Sequence, residues 1–461
     1  YTSLQQVLGV SGSGYITGIT QVAAGFYHSL FLKNDGTVYA CGYNGYGQLG
    51  LNNTTQYTSL QQVLGVSASG YITGITQVAA GFYHSLFLKN NGAVYCCGRN
   101  DNGQLGLNNS TQYNSLQQML GVNGSGYITG ISYIAGGQQN SLVVRGSDGV
   151  VFGCGVNSEG QLGLNNTSSP YYSLQQVSGL TNVVQVACGG YYSLFLKNDG
   201  SVFACGANNE GELGMNNVTS PNLNVLQVRG VNGVGYITGI VKIATFIFST
   251  FLVKNDGTVY ACGINYNTGL YGYGHLGLNN GSTVQFNSLQ QVLGVNGSGY
   301  IAGISQVACG YSHAIFLKND GTIYTCGYNG YGQLALGNNT NYVSLQQVST
   351  SSVLLNLTSN INVLENDYIS DNTWNHYAFI AEKVSTLTKI SVYKNANLVF
   401  TNTSGTWTPP NTGFTLSHPS TSNRLIGLLD DVRIYNKALS SNEISDLMDT
   451  NYIQNINCLL Y

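Results

Sequence analysis

Three features of this 461-residue chain predict an all-β fold. Only 7% of its residues are charged, while glycine (61) and tyrosine (34) are abundant, a composition that favours strands and turns over helices. The stretch HSLFLKNDGTVYACGYNGYGQLGLNN, which begins at His28, places an Asn-Asp-Gly turn between two apolar runs and therefore predicts a β-hairpin. The same stretch is written six times, so the fold is built from repeated units.

The repeat period is measured between the glycines of the hairpin turns. The intervals are 51 to 57 residues, widening to 64 across an insertion at 265–273, and such a period is typical of stacked or radially arranged units. A second motif, SLQQVLGVSGSGYITGITQVAAG in its first form, adds two more strands to each unit. The turn glycines are Gly36, Gly92, Gly149, Gly200, Gly257 and Gly321.

The predicted hairpin is apolar on both faces. Centring its turn on Asn34-Asp35 would place Leu30 opposite Tyr39 and Phe31 opposite Val38. Neither face can be left in water, which is the situation of a propeller blade packed between two neighbours. A solenoid would bury both faces as well, but it would need capping units, and the sequence contains no recognisable ones.

The ordered elements V-A-x-G, H-S-L, D-G, C-G-x-N and G-Q-L-G of each unit resemble the regulator of chromosome condensation (RCC1) repeat. The resemblance covers residues 1–349 and implies a β-propeller, usually of seven blades. The strand motif S-L-Q-Q-V occurs six times, once with Met in place of Val, and a degenerate seventh copy is also present. The strand motifs therefore outnumber the six cores. The ring therefore has either six blades with one surplus end, or seven with an upstream core missing. The motif copies begin at Ser3, Ser59, Ser115, Ser173, Ser288 and Ser344, with the degenerate copy around Leu226.

A second domain is predicted at 350–461, where the glycine turns stop and both tryptophans appear. Its W-N-H-Y-A, V-Y-K-N-A-N and L-D-D-V-R-I-Y-N-K-A-L-S elements resemble the laminin G-like, concanavalin A-type jelly roll over roughly 353–448. The region is shorter than that sandwich needs, so we expect a partial jelly roll. Asp430, Asp431 and Glu443 could bind calcium, but the sequence favours the alternative that they are strand-end charges and a helix-turn acid. No metal site is therefore predicted.

Cysteine and histidine recur at fixed places in the repeat, and both are interpreted as core residues. Each of the six repeats has one cysteine at the end of its second hairpin strand. In a ring, these equivalent positions on adjacent blades are too far apart to form disulfides. Cys188 and Cys309 are expected about four residues out of register with the hairpin cysteines, which disfavours intrablade disulfides. The histidine position also holds Asn, Tyr and Ser, which argues against a ligand. The six cysteines are Cys41, Cys97, Cys154, Cys205, Cys262 and Cys326; the histidines are His28, His84 and His313.

No catalytic or cofactor-binding residue is predicted. The GYGQLG string lacks the Lys-Ser/Thr of a phosphate loop, and most acidic residues are turn residues rather than paired carboxylates. Sequons that follow the glycine-rich turns are possible glycosylation sites, although they could equally be repeat turns. These sequons are Asn52, Asn53, Asn108, Asn109, Asn165, Asn166, Asn217, Asn280 and Asn338, with Asn356 and Asn402 in the second domain.

The sequence favours a non-enzymatic structural or adhesion protein, with a propeller scaffold and a module for glycan binding or assembly. A net charge of −3 without basic runs excludes nucleic acid as a partner, and no apolar run reaches a membrane span. The partners expected are proteins, further copies of the chain, or glycans. Similar repeats are plentiful in giant DNA viruses, so a virion-surface or extracellular location is expected. The alternative is a cytoplasmic RCC1-like guanine nucleotide exchange factor or protein-interaction adaptor.

Overall fold

The computed structural model describes residues 1–10, 14–265, 274–280 and 285–348, together with three strands after residue 376. The chain divides into two compact units, Tyr1–Ser349 and Thr350–Tyr461. The described residues are almost entirely strands and turns, and they include two short 3₁₀ turns, Val66–Ala68 and Val231–Gly233. Within this part of the chain there is no helix long and apolar enough to cross a membrane.

The first unit contains six four-stranded antiparallel sheets, which are the blades of a β-propeller. The four strands of each blade are consecutive in the chain, and each pairs with the next. Blades 1 to 3 are β1 (Ile19–Ala24), β2 (His28–Lys33), β3 (Val38–Gly42), β4 (Tyr57–Gln62); β5 (Ile75–Ala80), β6 (His84–Lys89), β7 (Val94–Gly98), β8 (Tyr113–Gln118); β9 (Ile131–Gly136), β10 (Asn140–Arg145), β11 (Val151–Gly155), β12 (Tyr171–Gln176). Blades 4 to 6 are β13 (Val183–Cys188), β14 (Tyr192–Lys197), β15 (Val202–Gly206), β16 (Asn222–Gln227); β17 (Ile240–Phe246), β18 (Ser249–Lys254), β19 (Val259–Ile264), β20 (Gln285–Gln291); β21 (Ile304–Cys309), β22 (His313–Lys318), β23 (Ile323–Gly327), β24 (Tyr342–Gln347).

The predicted hairpin between β2 and β3 is present, but its register is shifted by one residue. Leu30 pairs with Ala40 and Phe31 with Tyr39, so the predicted pairs were wrong. The reason is Gly36, whose φ of 78° adds a third residue to the turn and lets the amide of Lys33 bond the carbonyl of Thr37.

The core lies between neighbouring blades. One cluster joins Leu30 and Val38 of blade 1 to Val78 and Phe87 of blade 2, all essentially inaccessible to solvent. Similar clusters join later blades. The prediction that each blade buries apolar side chains on both faces is therefore confirmed for the blades that have a neighbour on each side.

The inner strands of the blades surround a channel with a cavity of about 540 Å³. One residue of each blade lines it at the equivalent position: Gln21, Gln77, Tyr133, Gln185, Lys242 and Gln306. Three of the glutamines also fasten their blade to the next one. The Gln21 Nε2 donates to the carbonyl of Val78 at 3.2 Å, and the Val78 amide donates back to Gln21 Oε1 at 2.9 Å. The same pair of bonds links Gln77 to Ile134 and Gln185 to Ile243.

The nine cysteines among the described residues are free thiols. The expected register of Cys188 relative to Cys205 was wrong. Cys188 is directly opposite Ser193 on β14, and Ser193 is opposite Cys205 on β15. A whole strand therefore separates the two sulfurs, which is incompatible with a disulfide.

The second unit is described as a three-stranded antiparallel meander. Its strands are β25 (Tyr377–Val384), β26 (Leu387–Lys394) and β27 (Asn397–Ser404), paired in that order. The backbone of Asn402 lies in β27. The other residues named in this domain, Asn356, Asp430, Asp431 and Glu443, lie outside the described residues.

Candidate functional site

The two ends of the propeller differ because the strands of each blade are antiparallel. The upper end carries the loops that join strands one to two and three to four of each blade. The lower end carries the central hairpins and the connections between blades. The upper end holds a group of aromatic side chains, which we call the aromatic patch: Phe26, Tyr27, Tyr43, Tyr46, Phe82, Tyr83, Phe246 and Tyr311, with Arg99.

Four rings of the patch come from four different blades and contact one another. Phe26 stacks on Phe82 with ring centroids 4.9 Å apart, and Phe82 stacks on Phe246 at 6.1 Å. Tyr311 meets both Phe26 and Phe246 edge-on at 6.4 Å. These distances are favourable for aromatic pairs, and the contacts join blades 1, 2, 5 and 6 at one end.

The tyrosines of blades 1 and 2 form the outer part of the patch. Tyr83 is at its centre, with ring centroids 5.3 Å from Tyr46, 6.1 Å from Tyr43 and 6.3 Å from Tyr27. Tyr27 is 59% exposed. Partial burial raises the pKa of Tyr83 above its ordinary value, so this ring is neutral at physiological pH.

Arg99 is the cation of the patch. Its guanidinium lies over the rings of Tyr46, at 5.4 Å, and Tyr83, at 5.9 Å. The carboxylate of Asp101 accepts hydrogen bonds from Arg99 Nε and Nη2, which raises the pKa of Arg99 and holds the guanidinium in place. The patch therefore combines an apolar surface with one oriented donor.

A Gly-Phe-Tyr-His sequence carries Phe26 and Tyr27 in blade 1, and the same sequence carries Phe82 and Tyr83 in blade 2. A side chain on Gly25 would approach within 2.3 Å of the His28 ring and 2.5 Å of the Gly81 carbonyl, so only glycine fits there. The amide of Phe26 donates to the carbonyl of Phe82 at 3.2 Å. The turn of one blade is thereby fixed against the equivalent turn of the next.

A buried polar clasp lies beneath the patch and links adjacent blades. The Nε2 of His28 is 2.9 Å from Ser85 Oγ, and this hydroxyl donates to the carbonyl of Gln48 at 2.7 Å. Burial lowers the pKa of His28 to about 4, so the imidazole is neutral. The interpretation as a core histidine is confirmed, although its Nδ1 has no hydrogen-bond partner in the described part of the chain.

Two ionisable residues replace the glutamine of this clasp in blades 4 and 5. Glu212 occupies the position of Gln48 and is 1% exposed, and its carbonyl accepts a hydrogen bond from Thr250 at 2.7 Å. Burial raises the pKa of Glu212 to about 7. In blade 5 the residue is His275, whose Nε2 is 2.5 Å from Ser249 Oγ. Both side chains are sealed inside the propeller and do not reach the patch.

The turn glycines lie in the lower hairpins, where all six have φ between 66° and 82°. This left-handed conformation is the reason for glycine in every copy. Among the described residues, no group of three or more His, Cys, Asp or Glu is placed to hold a metal ion.

The sequons of the propeller lie in the loops between strands three and four of the blades, and their side chains differ. Asn52 is exposed, whereas Asn53 uses its side chain within the loop: its Nδ2 donates to the carbonyl of Leu51 and its Oδ1 accepts from the amide of Thr55. The residues equivalent to Asn53 make similar bonds at Asn109, Asn166, Asn217 and Asn338. Asn108 and Asn165 are exposed like Asn52, and Asn280 is half-buried. Glycosylation at any of them stays a prediction.

Comparison with protein families agrees with this architecture. Models of the regulator of chromosome condensation (RCC1) repeat match residues 19–48, 75–104 and 183–212, and residues 35–88, 91–144 and 148–196. The chain carries RCC1 repeats. A model of the concanavalin A-like lectin/glucanases superfamily matches residues 308–445, so the RCC1 propeller is followed by a laminin G-like domain, as the sequence predicted.

Similar proteins include the human probable E3 ubiquitin-protein ligase HERC6, which is 30% identical over 269 residues, covering 56% of this chain and 24% of the ligase. The chain thus spans about a quarter of the length of that relative. The RCC1 propeller also resembles the crystal structures of human WBSCR16 (TM-score 0.59, 23% identity, covering 75% of this chain and 85% of that one) and of yeast Prp20p (0.57, 19%, 73% and 78%). At these identities the two structures show the fold alone.

The comparisons correct several functional expectations. The prediction of a protein without enzymatic activity is contradicted, because several matched relatives of the RCC1 propeller are named as ligases. A structural or adhesion role, glycan binding, and a virion, extracellular or glycoprotein character find no support among the matched proteins. The matches fit the alternative better, which was an RCC1-like guanine nucleotide exchange factor or protein-interaction adaptor.

The aromatic patch was not among the predicted sites. The sequence signal for it is the pair of aromatic residues after Gly25 and Gly81, together with C-G-Y-N-G-Y after β3. In the sequence alone, these residues contribute only to a tyrosine-rich composition. Without the fold, nothing indicates that they converge on one end of the propeller.

Proposed function

We propose that the propeller is a protein-interaction module that binds its partner through the aromatic patch. The observation that carries the proposal is the group of partly exposed aromatic rings around Arg99 at one end of a rigid ring of blades. Tyrosine, tryptophan and arginine are the residues most enriched among the energetically dominant contacts of protein interfaces.

The patch has the physical properties that such an interface needs. Its rings are held by contacts with one another, so binding would order few side chains that are free beforehand. The Arg99 guanidinium is already oriented by Asp101 at a distance of 2.5 Å and can donate to a backbone carbonyl or a carboxylate of the partner. The patch has little net charge, which disfavours a nucleic acid ligand.

The relatives give the class of partner some support. Yeast Prp20p has binding properties toward Gsp1p and histones, and yeast RCC1 has been crystallised with Kap60 bound. These partners belong to those proteins. For this chain we propose a protein partner of its own, and promotion of nucleotide exchange on a small GTPase is the second possibility that the family resemblance suggests.

The test compares patch variants with matched variants at the lower end. We expect the triple variant Y27S/Y83S/R99S to lose a partner that the wild-type chain captures from an extract of its native source. The control variant Y71S/Y127S/Y300S removes three tyrosines that are 57%, 61% and 63% exposed in the connecting loops, and it should retain that partner.

Affinity measurement with the purified partner then gives the size of the effect. Removal of a dominant interface tyrosine costs about 2 kcal/mol or more, so Y83S alone should weaken binding roughly 30-fold. Equal loss of the partner in both triple variants, or loss only in the lower-end variant, would refute the proposal. Faster nucleotide release from a captured GTPase would identify exchange as the activity.

A further inference from the structure

The cavity of the channel is lined by one charged side chain, that of Lys242 on the first strand of blade 5. Among the described residues, no aspartate or glutamate lines this cavity. The ion pairs in the described part of the propeller are made by Lys33, Arg99, Arg145 and Lys318, which all lie outside the cavity. The ammonium group of Lys242 therefore has no counter-charge in the channel.

Lysine at this position interrupts the hydrogen bonds that glutamines make between the blades. Gln185 of blade 4 donates from Nε2 to the carbonyl of Ile243 at 2.9 Å, and the amide of Ile243 donates back to Gln185 Oε1 at 3.2 Å. A lysine side chain has three donors and no acceptor. Lys242 therefore cannot accept a hydrogen bond from the corresponding amide of blade 6.

The corresponding amide is that of Val307, and it faces the channel. Val307 pairs with Phe316 as Val78 pairs with Phe87, so its amide has the same direction as that of Val78, which donates to Gln21 in the channel. Val307 lines the cavity and is 5% exposed. A backbone amide in such a place favours an acceptor. The site thus has an ammonium group and a backbone donor, and it lacks an acceptor.

We propose that the channel binds a small organic carboxylate at Lys242. One carboxylate oxygen pairs with the Lys242 ammonium group. The other accepts a hydrogen bond from the amide of Val307, in the place that a glutamine Oε1 takes between other blades. Hydrogen bonds between charged partners are about twice as strong as neutral ones, so these two contacts fix the orientation of the ligand.

The rest of the cavity is suited to an apolar group on the same ligand. Leu32, Leu88 and Val253 contribute to its lining, and its volume is about 540 Å³. Sites for small molecules occupy about 300–1,000 Å³ and combine apolar walls with a few polar groups. A single unpaired cation matches one carboxylate better than a phosphate group, which carries nearly two negative charges at neutral pH.

This site is separate from the aromatic patch, and the proposal does not depend on the function proposed for the patch. Phe246 of the patch ends β17, the strand that carries Lys242. Four residues of extended strand place the two positions about 13 Å apart. Loss of binding at one site therefore says nothing about the other.

The test uses phenylacetate as the probe and the full chain as the protein, with saturation-transfer difference NMR as the measurement. The matched probe is phenylacetamide, which has the same apolar group without the charge. We expect saturable binding of phenylacetate with a dissociation constant of about 1 mM or lower. Phenylacetamide should bind at least about tenfold more weakly, because it loses a charged hydrogen bond. This comparison needs no variant.

The decisive variant is K242Q, which introduces the residue that four other blades have at this position: Gln21, Gln77, Gln185 and Gln306. K242Q should weaken phenylacetate binding at least about tenfold. The control K254Q removes a lysine of the same blade at the end of β18, outside the cavity, and it should bind like the wild type.

Four results would overturn the proposal. They are no saturable binding of phenylacetate to the wild type, equal binding of the acid and the amide, unchanged binding in K242Q, and equal loss of binding in K242Q and K254Q. The last result would show a general effect of charge rather than a site in the channel.

Discussion

The buried carboxyl of Glu212 should make the stability of the propeller depend on pH. Its Oε2 accepts a hydrogen bond from the amide of Glu210 at 2.8 Å, but its Oε1 has no partner among the described residues. The equivalent positions in blades 1 to 3 hold neutral glutamines, whose Oε1 makes the same bond to the loop amide. We therefore expect E212Q to stabilise the protein at neutral and alkaline pH.

The magnitude follows from the pKa. Burial raises the pKa of Glu212 from 4.5 to about 7, and at about 1.4 kcal/mol per pKa unit this corresponds to about 3 kcal/mol. Because the pKa in the folded state is higher than in the unfolded state, the folded protein binds the proton more tightly. The stabilisation is complete below about pH 4.5 and is lost as the pH rises through about 7.

The assay is urea unfolding of the wild type and E212Q at pH 4.5, 6 and 8. Tyrosine fluorescence is the signal of choice because both tryptophans, Trp374 and Trp407, lie in the second unit. The difference in unfolding free energy between the two proteins should grow by about 3 kcal/mol between pH 4.5 and 8.

A reciprocal substitution provides the control. Q161E places a carboxyl at the matched position of blade 3, where Gln161 is 1% exposed, and it should destabilise the protein at pH 8 much more than at pH 4.5. A difference in unfolding free energy between wild type and E212Q that is independent of pH would mean that Glu212 has an ordinary pKa in the folded state. The claim that burial raises its pKa would then be refuted.

Two further predictions use the near-identity of the repeats as an internal control. S85A removes a hydroxyl from a clasp and leaves the buried Nε2 of His28 without its partner, so it should cost about 1–3 kcal/mol of unfolding free energy. S29A changes the matched residue of blade 1, which is only half-buried, and it should cost much less. Equal losses in urea unfolding would contradict this prediction. G36A should destabilise the protein more than G321A. Both glycines have positive φ, but only a side chain on Gly36 would come within 3.0 Å of the Gly74 amide. An equal fall of the two melting temperatures in differential scanning calorimetry would disprove this prediction.

The blade could be predicted from the sequence because its pattern is local and is repeated. Alternation of apolar residues around an Asn-Asp-Gly turn is sufficient to indicate a hairpin. The period indicates stacked or radially arranged units, and a propeller follows only when the two apolar faces of the hairpin are added. The register was missed by one residue because Gly36 adopts a left-handed conformation. The choice between a two-residue and a three-residue turn depends on a backbone angle that Asn, Asp and Gly all tolerate.

The aromatic patch could not be predicted in the same way because its contacts join distant parts of the chain. Phe82 and Phe246 are separated by 164 positions, yet their rings are 6.1 Å apart. Phe246 also stands where the other blades have glycine, so it does not follow the repeat. Only the circular arrangement of blades brings these residues together.

The exposure of Val22 shows a second limit of sequence reasoning, because it is 62% exposed while the equivalent Val78 is 1% exposed. Val22 and Val78 lie in identical stretches of 19 residues, so no local rule can distinguish them. Their exposure differs because one blade has a neighbour on that face and the other does not. Burial in a repeat protein is set by position in the array as well as by composition.

Photocrosslinking from the aromatic patch is the most direct test of the proposed function. A photoreactive phenylalanine derivative is placed at Tyr83 in one version of the full chain and at Tyr71, in a lower connecting loop, in another. After irradiation in an extract of the native source, we expect a discrete crosslinked protein from position 83 and none from position 71. Crosslinking from position 71 alone, or of the same protein from both positions, would contradict the claim that the patch is the binding site.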